Sequence, residues 1–367
     1  MRRFRHASPG GGPGPDRTGS RLSNTLLALL ALVSLGATIV VDDDGGTPDL
    51  ATALAAAQPG DTVLVMPGTY VGSFDVPEGV SLVGSGPEDT ILDGDGADWT
   101  VGLARGAEVS RFTITGGENG IEGIGANRIH ETRIAGNGVS NGGGVFLLGC
   151  GAEITRNVIS GNSSPNRGGG VYLFLAPLGG CQPGDPAPLV QNNLFEANIS
   201  GGAGAALAAR DSGDGEWNQK WPIVTQNTIV GNVSGNGRGA LYFTSDSYVV
   251  YAADPTGTVT NNVIAGNTGG GLTQYIYGGP GSGYDYGPRI SENVFSLNGA
   301  PELEAPTTSL GSDGNTTSDP SFRNPAAGDY RLQPGSPAID AGAALPEPVL
   351  VDLDGYPRPL DGNLDGA

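Results

Sequence analysis

Short apolar runs of strand length recur along this chain between asparagines and glycines. Ile154 to Leu173, ITRNVISGNSSPNRGGGVYL, carries the whole pattern: an apolar run, an Asn turn, a second Asn, a Gly-rich corner and another apolar run. Its core, NVISGN from Asn157, returns as NLFEAN from Asn193, NTIVGN from Asn227, NVIAGN from Asn262 and NVFSLN from Asn293. Successive first asparagines are thus 36, 34, 35 and 31 residues apart. TRIAGN, Thr132 to Asn137, is a diverged earlier copy. A repeat at such a period predicts stacked coils sharing one core.

Upstream, Thr62–Met66, Val80–Val83, Thr90–Leu92, Val109–Thr115 and Ile129–Ile134 read as strands. They are rich in Val, Ile and Thr and are separated by Pro-Gly, Gly-Ser-Gly-Pro and Asp-Gly turns. Pro48 to Ala57 reads as a short helix, with Thr47 as N-cap and Pro48 at the first helical position, lying across the first coil as a cap. No long helix separates the strands, which disfavours an α/β sheet. The pattern predicts an all-β parallel β-helix. At about 4.8 Å per coil, roughly nine or ten coils make a rod of about 45 Å.

Composition narrows this further. A length of 367 residues could hold two or three domains, but 65 glycines, 27 prolines and 15% charged residues fit one repeat body with many tight turns. The formal charge of −20, with Lys220 the only lysine, argues against a nucleic-acid partner. It also makes the protein a poor attractor for a polyanionic sugar unless local cations invert the field.

Arg2, Arg3 and Arg5 open a basic leader, and Leu26 to Leu35 is nearly all apolar before Gly36 and Ala37. Residues 1–36 therefore read as a secretory signal peptide. Apolar residues continue to Val41, so an uncleaved anchor is the alternative, roughly 20 being needed to span a bilayer. Use of Thr38 to Val41 as the first strand favours cleavage. Export permits disulfides, and Cys150 and Cys181 each follow a Gly-rich strand at the same corner of consecutive coils. They are expected to bridge, with two structural thiols as the alternative.

Two stretches carry a family resemblance. TIVVDDDGG followed by PGDTVLVMPGTYVGSFDVPEGVSLVGSGPEDTILDG resembles the opening of right-handed parallel β-helix proteins of the pectin-lyase-like superfamily. DPSFRNPAAGDYRLQPGSPAIDAG with VDLDGYPRPLDGNLDGA resembles the choice-of-anchor Q domain that closes such surface proteins. The resemblance implies a right-handed, single-stranded helix, carbohydrate-related surface proteins, and a final strand and sorting signal past DGNLDG, where this chain stops at Ala367. The organisation expected is signal peptide 1–36, strand and capping helix 37–60, β-helix repeats 61–318 and C-terminal cap 319–367.

Stacking places identical asparagines above one another, so the repeated Asn positions are read as amide ladders rather than catalytic groups. Asn162, Asn198, Asn232 and Asn315 also fall in N-x-S/T sequons, a coincidence at ladder positions. Function is sought where the repeat is interrupted. Excursions at Phe174–Leu189, Arg210–Pro222, Thr244–Gly257 and Tyr277–Pro288 share one register and should emerge on one lateral face.

Arg210, Trp217, Trp221, Asp246, Tyr248, Tyr251, Tyr277, Tyr284, Asp285 and Tyr286 form the expected ligand-binding set, since aromatic faces stack on sugar rings and charged groups bind hydroxyls. Ordinary surface loops are the alternative. Asp211, Asp214 and Glu216, with Lys220, are the catalytic candidates for glycoside hydrolysis or uronate elimination. Asp352, Asp354, Asp361 and Asp365 are an oxygen-rich candidate calcium set; no other cofactor is implied. Gly138 to Gly142 matches G-x-S-x-G but lies in a corner with no helix after it. His130 is the only histidine after residue 36, which excludes His-based triads and zinc clusters in the mature chain. Its strand slot is expected to be exposed.

Three functions remain: an exported, surface-associated monomer binding polysaccharide through the insert face; a polysaccharide lyase or glycoside hydrolase acting there; or a stalk or adhesin without catalysis. Possible cell-envelope association accompanies the first.

Overall fold

The computed structural model describes residues 36–42, 48–138, 141–176, 181–182, 184–212, 220–245, 257–276, 287–306, 308–343 and 351–355. Three long sheets build the body. Sheet A has ten strands from Thr38–Val41 to Arg289–Ser291. Sheet B has nine, from Gly68–Val71 to Val294–Ser296, and sheet C nine, from Phe74–Val76 to Leu303–Glu304. Each coil lays one short strand in A, then B, then C, and pairs parallel with the next coil. This is a right-handed, single-stranded parallel β-helix.

Alternation decides which side chains enter the rod. In sheet A the inward column is Val63, Leu82, Val109, Ile129, Ile154, Val190, Val224, Val259 and Ile290, all buried. Sheet B contributes Leu92, Ile114, Ile134, Ile159, Phe195, Ile229, Ile264 and Phe295. Burying each such side chain is worth about 1.5–3 kcal/mol, and the columns touch in one cluster.

Two expected strands divide. Val109–Thr115 is Glu108–Ser110 plus Thr113–Thr115, and Ile129–Ile134 is Arg128–His130 plus Arg133–Ala135. Between them Arg111 and Glu131 take φ of 65° and 52°, turning the chain from sheet A to sheet B. Arg156, Asn192, Gln226, Asn261 and Glu292 repeat that left-handed corner, each next to a ladder asparagine in the chain. A non-glycine there costs about 1–2 kcal/mol, and the hydrogen bonds of the adjacent asparagine hold the turn.

Helix α1 (Leu50–Ala56) turns Leu50, Ala53 and Leu54 into the core at the first coils. Its N-cap is Asp49, whose carboxylate accepts from the Thr52 N–H at 2.8 Å, rather than Thr47. Pro48 therefore precedes the cap, and Thr47 lies outside the described residues. Asp is as strong a cap as Thr and sits one residue before the buried leucine.

The asparagines form two ladders. One runs Asn157, Asn193, Asn227, Asn262, Asn293, Asn315; the other Asn137, Asn162, Asn198, Asn232, Asn267, Asn298. The four sequon asparagines are ladder members, each at most 1% exposed.

Cys150 and Cys181 are bonded, with Cα atoms 4.6 Å apart. The bridge closes a 31-residue separation across consecutive coils. Replacing both by serine is expected to lower stability by about 2–4 kcal/mol, read as a fall in the denaturant midpoint. An unchanged midpoint would show that closing this loop contributes nothing.

After the last coil the chain folds back along the flank. Phe322–Asn324 and Asp329–Leu332 make an antiparallel hairpin whose Tyr330 hydroxyl donates to Glu196 of sheet B at 2.8 Å. Asn261 binds the Ala343 backbone through both amide atoms at 2.9 Å, and the Asn192 amide donates to the Val351 carbonyl at 3.0 Å. These are corner asparagines from the left-handed column, so the A–B corner also serves as the docking line for the C-terminal segment.

Candidate functional site on the outer face of sheet C

All four inserts leave sheet C and return to sheet A, following the strands Val171–Leu175, Leu207–Asp211, Leu241–Ser245 and Leu272–Ile276. Asp214, Glu216, Trp217, Asp246, Tyr248, Tyr251, Tyr277, Tyr284, Asp285 and Tyr286 lie outside the described residues, as do Asp361 and Asp365. The remaining predicted residues do not converge.

Asp211 ends its strand at 4% exposure and accepts a 2.8 Å hydrogen bond from the Ser245 hydroxyl, its register partner on the next coil. Lys220 donates to the Asp185 backbone carbonyl, while the Asp185 carboxylate meets Arg105 and the Gln182 N–H. Lys220 therefore ties two loops together. Trp221 was expected to offer its face to a sugar. It is instead a core residue, 1% exposed and edge-on to Phe243 with centroids 6.3 Å apart. A buried ring cannot stack on a ligand.

The calcium expectation also meets a different arrangement. Both Asp354 oxygens take N–H groups of Arg331, at 2.8 and 2.9 Å, and this hydrogen-bonded cation holds the carboxyl below its usual range. Asp352 accepts from the Asp354 N–H at 2.9 Å. Among the described residues, no group of three or more His, Cys, Asp or Glu side chains is placed to hold a metal.

What does converge is a face that the sequence reading passed over. Outward-pointing positions of sheet C align as Glu122, Phe146, Tyr172, Ala208, Tyr242 and Thr273. Beside them run Ile124, Leu148, Phe174, Arg210, Thr244 and Tyr275. Adjacent rungs are about 4.8 Å apart. Phe146 stacks on Tyr172 at 5.6 Å, and Tyr172 on Phe174 at 6.3 Å.

Arginines interleave with these rings. Arg210 lies 5.2 Å above Phe174, and Arg167 and Arg238 each lie 5.8 Å from the Tyr242 centroid. Arg238 also lies 4.5 Å from the Tyr275 ring and donates to the Tyr242 hydroxyl at 2.9 Å. Tyr275 is 47% exposed, and Phe146, Phe174 and the three arginines are half-buried. Tyr172 and Tyr242 are buried beneath them at 6% and 1% exposure, so Tyr275, Phe146, Phe174 and the guanidinium groups are what this face offers to a ligand. The signal was available: the third residue of GVFLL, GVYLF and ALYFT is outward by alternation and aromatic in each.

The face changes sign toward the N-terminus. There the Trp99 indole donates to Asp75 at 3.0 Å, and the next outward rungs are Gly102 and Glu122. A Cβ on Gly102 would fall 2.3 Å from an Asp75 oxygen, so that carboxylate lies over the glycine.

Elsewhere, His130 is half-buried rather than exposed, with Nε2 3.0 Å from Glu108. The His130 hydrogen bond, then its charge and that of Arg128, hold the Glu108 carboxyl below its usual range against the effect of burial. Burial, reinforced by Glu196, pushes the Tyr330 phenol up to about 12. Both are contacts on sheets A and B, away from the aromatic face.

No family model and no curated protein sequence matches the chain. Solved structures with a similar course include a pectin methylesterase in complex with hexasaccharide VII, at 12% identity and TM-score 0.41, covering 81% of this chain and 98% of that one. The pectate lyase Pel9A is 14% identical with TM-score 0.38, covering 89% and 97%. The alginate lyase AlyGC is 13% identical with TM-score 0.39; the match covers 71% of this chain and 38% of that enzyme.

Proposed function

We propose that this is an exported, cell-surface polysaccharide-binding β-helix protein whose ligand lies along the outer face of sheet C. The observation that carries this reading is the row of accessible rings Phe146, Phe174 and Tyr275 on one sheet face, backed by the buried Tyr172 and Tyr242, with guanidinium groups held against them. Aromatic faces pack against the apolar C–H surfaces of sugars while arginine N–H groups bind hydroxyls. Export is supported by the basic and apolar leader and by the disulfide. Among the described residues no helix is long and apolar enough to cross a membrane.

Retention on a polysaccharide panel, with and without calcium, tests the reading. Phe146→Ala and Tyr275→Ala are each expected to weaken binding roughly three- to tenfold, equivalent to about 0.5–1.5 kcal/mol, without loss of fold. Trp217→Ala, on the neighbouring insert, is expected to act in the same direction. If the parent retains no glycan, the stalk reading replaces this one.

A catalytic reading, lyase or glycoside hydrolase, draws support from Asp75 and Glu122, which lie on either side of Gly102 next to Trp99. Paired carboxylates across a glycosidic bond are what hydrolysis requires. New reducing ends that disappear in both Asp75→Asn and Glu122→Gln would establish it; product formation unaffected by either change would remove these residues from the chemistry.

A further inference from the structure

We infer that Arg167 and Arg238, converging on Tyr242 across an alanine notch, form a subsite that reads an oxyanion substituent, a carboxylate or a sulfate ester, on the bound polysaccharide. This rests on the binding reading above. The first observation is local. On the outward column the coil between Tyr172 and Tyr242 contributes Ala208, and at the preceding corner Arg167 bridges to Ala203 rather than to a second long side chain. Gly204 then hydrogen-bonds to the carbonyl of Arg238, so Ala203 is also flanked along the stack by arginines. One coil thus carries two alanines where its neighbours carry arginine and tyrosine. Arg167 spans that gap to reach the Tyr242 ring, and Arg238 reaches the same ring.

The second observation is electrostatic. With 38 acidic against 18 basic residues, the chain has carboxylates in excess for pairing arginines. Arg105, Arg128, Arg156 and Arg331 each meet one. Among the described residues Arg167 and Arg238 meet none, although two guanidinium groups sharing one ring repel each other. An oxyanion placed between them relieves that repulsion.

The chemistry of the group is left open. A guanidinium carries five N–H donors in one plane. Arg238 commits one Nη1–H to the Tyr242 hydroxyl, and its other donors meet no acceptor among the described residues. The planar fork matches a carboxylate or sulfate oxygen pair in a way that a lysine cannot. The subsite would also provide the local positive field that an acidic protein needs to hold a polyanion.

The test uses the full chain and matched polymers: polygalacturonate against its fully methyl-esterified form for the carboxylate, and dextran sulfate against dextran for the sulfate ester. The parent is expected to prefer the charged member of at least one pair by about tenfold or more, with the preference shrinking as salt rises. Arg167→Gln with Arg238→Gln should bring the preference close to one, with affinity for the charged polymer falling by more than that for the uncharged one. Arg238→Lys should restore only part of it, and exposed Arg323→Gln should change nothing. A preference for one charged polymer alone identifies the substituent. Binding without charge preference, or a preference that survives the double variant, overturns this inference and leaves the binding reading intact. Failure to bind any of the four polymers overturns both. An unfolding midpoint equal to that of the parent certifies that the variants are folded.

Discussion

Asn198→Ala is expected to cost about 3–5 kcal/mol of stability, far more than removing one polar side chain from a surface. The Asn198 carbonyl oxygen accepts the backbone N–H of Asn162 at 3.1 Å and the Asn162 amide at 3.0 Å. Its own amide donates to Asn232 at 3.0 Å and to the Ile159 carbonyl at 2.8 Å. Asn162, Asn198 and Asn232 are all fully buried. Alanine therefore strands the Asn162 backbone N–H and the Ile159 carbonyl where water is excluded, each at roughly 1–3 kcal/mol before partial relaxation. It also takes one bond from each of the Asn162 and Asn232 amides, which keep their bonds to Ile134 and to the residue-198 N–H. Guanidinium unfolding measures the loss.

Position within the ladder supplies the control. Asn298 closes the same column at 8% exposure: it holds Asn267 and the Ile264 carbonyl of the preceding coil, and on its other side the Glu302 carboxylate, four residues away, stands in for a following coil. Asn298→Ala should cost less, about 2–3 kcal/mol, because it leaves buried groups of Asn267 and Ile264 on one side only, its other neighbour being the partly exposed Glu302. Equal costs at the two positions would show that the column does not act through burial. Asn198→Asp should match or exceed the alanine loss, since it removes both amide donors and offers a buried charge in exchange.

The ladder was legible because stacking forces identical residues into register, so a period in sequence becomes a column in space. NVISGN and its copies therefore gave the asparagines, the inward Ile and Phe positions and the direction of stacking. The A–B corner was not legible. Arg111, Glu131 and Arg156 carry no glycine signal, yet all sit at positive φ. Their conformation is imposed by the coil above and below, and the sequence around them reads as one uninterrupted strand.

The aromatic face of sheet C was not legible for a related reason. Attention went to the interruptions, which hold the visible carboxylates and tyrosines, whereas Phe146, Tyr172, Tyr242 and Tyr275 sit inside regular strands. Apolar residues on both faces of a strand look like deeper burial until the register separates them. Phe146 and Leu147 are neighbours in sequence, but one faces outward beside Tyr172 and the other enters the core beside Leu173.

Trp221→Ala separates core from surface roles most sharply, because the two roles predict opposite readouts. Trp221 is 1% exposed, belongs to the continuous core and meets Phe243 edge to face with an interplanar angle of 77°. Truncation removes a large buried ring and opens a cavity beside Phe243, at an expected cost of about 3–5 kcal/mol in the unfolding midpoint. Trp221→Phe keeps part of the ring contact and should lose about half as much. Glycan affinity, measured below the unfolding transition and corrected for folded fraction, should be unchanged in both, in contrast to Phe146→Ala and Tyr275→Ala. Gly257 provides an independent approach to the same packing. A Cβ there would lie 2.2 Å from the Cβ of Trp221 and 3.0 Å from its backbone oxygen, so Gly257→Ala must displace the tryptophan or its strand. That variant should lose stability, again with affinity preserved, since overpacking a core costs about 1–3 kcal/mol without touching the outer face of sheet C. A Trp221→Ala protein that melts like the parent but releases polysaccharide would place this ring on the ligand and reverse the assignment.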